Sequence, residues 1–187
     1  MCISFFYLLS TNAYSRFSVL PGRTPTIGEK SLNLWFWELD SMDDRDDIEG
    51  NVLDTISSVN PNVKVYVHWF DSNDENYWSF YHANHKSDDP LSQLDMFRDY
   101  VLHHYYFSVR NHNDYHILAA EGNWDGGSGA AYSPGHFALA SDDNEKIAAH
   151  GMGHMLGASH NRDTNWFSAP IMYPHPFAWH YHLQTKF

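Results

Sequence analysis

The residues most able to do chemistry stand together in the last quarter of the chain: His150, His154, Gly157 and His160. His150 and His154 are four residues apart, so on an α-helix both imidazoles project from one face and can reach a single metal ion. Gly157 suits the left-handed conformation that ends a helix, and the turn it permits swings His160 back toward the same ion. Three neutral imidazoles leave a tetrahedral zinc one open position for water, the arrangement of a catalytic rather than a structural site. The chain has 14 His, a density at which one H-x-x-x-H pair arises about once by chance. The other such pair, His112 and His116, has helix-breaking Asn113 and Asp114 inside it and reads as accidental. A third histidine at the right distance, with glycine between, makes the His150 group far more specific than a pair.

With those residues in place, His150-x-x-x-His154-x-x-Gly157-x-x-His160 resembles the zinc-binding helix and turn of the metzincin metalloproteases. Ile171-Met172-Tyr173-Pro174 resembles their Met-turn, with Met172 as the floor under the zinc and Pro174 closing the turn. Upstream, His116 to Glu121 and Trp124 to Tyr132 are similar to the central strand and the rim strand of the reprolysin branch, which includes the snake-venom and ADAM-type enzymes. The resemblance carries residues 114–174 and stays in register over 31–113. It implies Zn2+ held by His150, His154 and His160. It also implies an edge strand, with Ala130, Ala131 and Tyr132, that pairs with an extended peptide by β-augmentation.

One departure bears directly on the chemistry. The family motif has glutamate directly after the first histidine, and this chain has Gly151. That glutamate takes the proton of the zinc-bound water and delivers it to the leaving amine; glycine can do neither. Loss of a general base costs about 10²–10⁴-fold, while the three ligands remain. Gly151 reads as the mark of a natural pseudoenzyme, as an altered residue (one purine transition turns a glutamate codon into glycine), or as a site left with metal Lewis acidity alone. Asn161 stands where reprolysins have aspartate, and the single Cys2 excludes both that branch's disulfides and a cysteine-based zinc site.

Composition sets the frame. The 187 residues suit one domain, and 23 acidic against 11 basic residues give a net charge of −12, which argues against a partner rich in phosphate such as a nucleic acid. No apolar run reaches the roughly 18 residues of a membrane helix. Residues 1–15 read in two ways: as a leader peptide cleaved before Arg16, with Ala13 and Ser15 as the small-residue signal, or as a first β-strand. The leader reading implies secretion. Residues 16–187 then form one domain, with an N-terminal subdomain to about 157 and a C-terminal one over 158–187.

The elements that must position the histidines follow from periodicity. Ser31–Leu39, Asn62–Phe70, Tyr115–Ala120 and His136–Ala140 predict strands, and 122–134 a glycine-rich loop followed by an edge strand. Ile48, Val52, Leu53 and Ile56 predict a helix opening in the acidic stretch Asp40–Glu49; calcium there would need an EF-hand spacing the stretch lacks. Asp89-Pro90 predicts the start of a helix with Leu91, Leu94, Phe97, Val101 and His104 on its face. Asp142 and Glu145 predict a capping box for the zinc helix, and 71–88 reads as a connection. The expected fold is α/β and metzincin-like: a mixed, mostly parallel twisted sheet with a backing helix and the active-site helix. Function divides into a reprolysin-like zinc metalloendopeptidase domain impaired at Gly151, a zinc-binding pseudoprotease that binds peptide or protein, and a degenerate domain without metal.

Overall fold

In the computed structural model the described residues are 6–10, 31–42, 44–84, 87–105, 113–125, 127–158 and 160. Met172 and Pro174, expected to form a Met-turn, the tail, and almost all of the expected C-terminal subdomain lie outside them.

Alternation makes the strands. In β2, Ser31–Glu38, the side chains of Leu32, Leu34 and Phe36 enter one core, while Trp35 and Trp37 enter the other. In β4, Asp114–Ala120, every residue is buried, as expected of a strand covered on both faces. With β1, Phe6–Ser10, β3, Lys64–Phe70, β5, Gly129–Ser133, and β6, Phe137–Ser141, the described strands form one sheet in the order β1-β5-β6-β4-β2-β3. Pairing is parallel throughout except between β5 and β6. The mixed, mostly parallel α/β sheet expected from the sequence is therefore present. The strand Phe6–Ser10 falls inside the stretch 1–15.

Helices cover both faces. On one side lie α1, Arg45–Val59, and α4, Ile147–Met155, which share a core with Leu34, Ile117 and Ala138 of the sheet. On the other lie α2, Tyr77–Ala83, and α3, Pro90–His104, packed on Trp37, Leu118 and Leu139. Helix α1 begins at Arg45, inside the acidic stretch, and buries Ile48, Val52 and Ile56 as its periodicity predicts, with Thr55 in place of Leu53. Helix α3 starts as expected: Pro90 is its first residue, and the Asp89 carboxylate accepts from Ser92 N at 2.8 Å. His104, expected on its apolar face, is exposed and stacks on Tyr100 at 4.2 Å.

Two expectations need correction. The connection 71–88 contains α2, whose buried Tyr77 and Phe80 are three residues apart; Tyr77 Oη donates to Leu39 O at 3.0 Å, anchoring the helix to the end of β2. The capping box does not form, because α4 starts at Ile147 with no side-chain cap. Asp142 Oδ1 instead accepts from Gly122 N at 2.9 Å, closing the β4–β5 connection, and Asn144 Oδ1 accepts from Lys146 N.

Candidate metal centre

Helix α4 is buried along its whole length, from Ile147 to Met155. The small side chains Ala148 and Ala149 meet Ala131, Ala138 and Ala140 on the sheet, so helix and sheet approach closely. The β5–β6 turn is tied to the helix end by Gly135 N donating to Met155 O at 3.1 Å. On this fixed support His150 and His154 are one turn apart, and both are buried.

The helix ends as the glycine requires. Gly157 has φ 90°, in the left-handed region. Its N–H donates to His154 O at 2.8 Å, and Ala158 N donates to Gly153 O at 2.9 Å. The reversal brings His160 to the other two imidazoles. The Nε2 atoms lie 3.0 Å apart for His150 and His154, 3.1 Å for His154 and His160, and 3.2 Å for His150 and His160. Nitrogens bound to one tetrahedral zinc at ~2.0–2.1 Å stand about 3.3 Å from each other. The triangle therefore fits a zinc ion, and among the described residues these three histidines are the group able to hold a metal.

The turn also sets the chemistry of a ligand. His154 Nδ1 lies 2.9 Å from Ala158 O. As the donor to that carbonyl, Nδ1 carries the proton, which leaves the Nε2 lone pair for a metal that the three rings would hold. Burial first, and the neighbouring His150 and His160 next, push the His154 pKa down to about 2, against the hydrogen bond to Ala158. The ring is therefore neutral, as metal ligation requires. Sequence reasoning singled out the three histidines that converge here but not this carbonyl, since a backbone group has no residue signature. Gly151 is buried on α4 directly after His150, and no carboxylate belongs to the metal-holding group among the described residues.

Ala130, Ala131 and Tyr132 lie on β5 as the sequence suggested, but this strand has a neighbour on each side: β6 on one, β1 on the other. Ala131 faces the core under α4. Tyr132 faces α3, where its hydroxyl donates to Asp95 and accepts from Arg98; sequence reasoning had not singled out either α3 residue. The remaining described histidines lie outside the three-histidine group. His136 Nδ1 lies 2.8 Å from Asp114 O, and His68 stacks on Trp35 at 4.1 Å. His116 is fully buried between the aromatic rings of Trp35 and Phe137 and accepts from Trp37 Nε1 at 3.2 Å.

No family model matches the chain, and no curated protein matches it. Among solved structures it is similar to archaemetzincin from Methanopyrus kandleri, with 17% identity over 77% of this chain and 81% of that one, at a TM-score of 0.50. At that identity the likeness speaks for the fold, and the fold is metzincin-like.

Proposed function

We propose that the chain is a zinc-binding, reprolysin-like metalloendopeptidase domain in which Gly151 leaves the general-base position vacant, so that zinc and extended peptides still bind while hydrolysis is crippled. The convergence of the His150, His154 and His160 Nε2 atoms to within 3.2 Å carries this reading. The metzincin-like fold supports it. A bound zinc supplies Lewis acidity and lowers the pKa of a water molecule. The chain's own part is to hold that ion with three neutral imidazoles and to fix the His154 ring through Ala158 O. What it lacks at position 151 is a carboxylate to take a proton. The leader reading of residues 1–15 adds secretion to this proposal, and a pseudoprotease role as a peptide-binding module is its non-catalytic form.

A peptidase assay on zinc-loaded protein beside its Gly151→Glu variant tests the reading. The expected result is at least a hundredfold gain on restoring the carboxylate, the lower end of the general-base range of about 10²–10⁴. Equal activity in the two proteins at equal zinc content would show that the missing carboxylate is not limiting.

A further inference from the structure

Trp78 is the most exposed of the large apolar side chains among the described residues, at 64%. It stands on α2 with Tyr81 and His82 beside it. The Trp78 ring meets Tyr81 edge to face at 5.9 Å and lies 6.3 Å from His82. The spacing i, i+3, i+4 places the three on one side of the helix. The opposite side is fixed: Tyr77 and Phe80 pack in the core, and Tyr77 Oη donates to Leu39 O at 3.0 Å. The rings are thus held from beneath while the Trp78 face meets solvent, and a large exposed aromatic of this kind is a frequent anchor for a partner.

Charge says what this face fits. Residues 71–84 hold Asp71, Asp74 and Glu75 and no Lys or Arg. The Asp74 carboxylate accepts from Asp71 N at 2.9 Å, which leaves the exposed Glu75 for a partner. Glu75 lies three residues before Trp78, in the turn that leads into α2. Other rings of the chain carry their own cation: Lys64 over Tyr66, Arg45 over Trp69 and Arg98 over Tyr132. Trp78 has none among the described residues. An indole face attracts a cation, and a planar guanidinium can stack on the ring while donating to a carboxylate beside it. The geometry points to the Glu75, Trp78, Tyr81 and His82 side of α2 as a docking surface for an arginine-bearing segment of a partner protein. Helix α2 covers the face of the sheet opposite α4, so this surface is separate from the three histidines.

The test measures binding of a fluorescein-labelled oligoarginine peptide to the full chain and to Trp78→Ala, which keeps the net charge. It is run at about 0.15 M salt, where attraction between exposed charges is screened beyond about 8 Å. The expected result is about fivefold weaker binding by Trp78→Ala and about twofold weaker binding by Glu75→Gln, with Trp78→Phe close to the full chain. An oligolysine peptide of the same length is expected to bind more weakly than oligoarginine, because an ammonium cannot stack flat. Urea unfolding is read on every variant, and Trp78→Gln serves as a second ring-free variant should the alanine one be destabilised. Equal affinity of the full chain and a folded ring-free variant for oligoarginine overturns the proposal and leaves attraction by the acidic surface alone. A full chain that dimerises, beside a Trp78→Ala variant that does not, also overturns it and gives the face to a second copy.

Discussion

His154 is the residue on which the candidate metal centre turns, because it is the most deeply buried of the three histidines and the one oriented by a backbone carbonyl. His154→Ala is expected to abolish stoichiometric zinc binding, read by metal analysis, whereas His136→Ala, on a ring held to Asp114 O, leaves it intact. His116 makes a different point. Burial, with His136 adding to it, pushes its pKa down from 6.5 to about 3. The unfolded chain therefore takes up this proton before the folded one does, so its contribution to stability is full above pH 6.5 and falls away as pH drops toward 3. His116→Phe is expected to flatten that acid limb in urea titrations. At neutral pH it should cost about 1–3 kcal/mol, because Trp37 Nε1–H loses its acceptor. The convergence of the three histidines was readable from the sequence because their geometry is local: helix spacing, then one glycine turn. The burial of His116 was not, since it depends on rings brought from β2 and β6.

Elements are placed by ties that cross long stretches of sequence, and here sequence reading reached its limit. Asp142 and Glu145 match a capping pattern, yet Asp142 is taken by Gly122 N from the neighbouring connection, and the helix begins later. The start of α1 is similarly held from outside: the Arg45 guanidinium bonds Glu38 at the end of β2 and Asp71 after β3. Arg45→Ala strips the guanidinium from the buried Glu38 carboxylate and leaves it the bond from Met42 N at 2.8 Å. A loss of about 1–3 kcal/mol in urea unfolding is expected, with no change in zinc content. Tyr132→Phe removes the hydroxyl that joins β5 to Asp95 and Arg98; a loss of about 1 kcal/mol, or about 2–4 °C in Tm for a chain of this size, measures how firmly this hydroxyl holds α3 to β5. A change beneath 0.5 °C would show the tie to be idle.

At the scale of the whole molecule, two cores on opposite faces of one sheet divide the labour. The face with α1 and α4 carries His150 and His154, and on the face with α2 and α3 Phe97 meets Trp37 and Phe137 edge to face. Strand periods alternating with helical ones, together with the metzincin resemblance, were enough to anticipate the α/β class. Strand order was not, because β1 joins β5 across more than a hundred residues of chain, and nothing in residues 6–10 names its partner. A metal held by three histidines at one helix and its turn is what the proposed function requires first. Metal analysis of the purified chain measures this most directly. One zinc per chain, removed by chelator and absent from His154→Ala, is the predicted result; no zinc, or zinc retained in that variant, would contradict it.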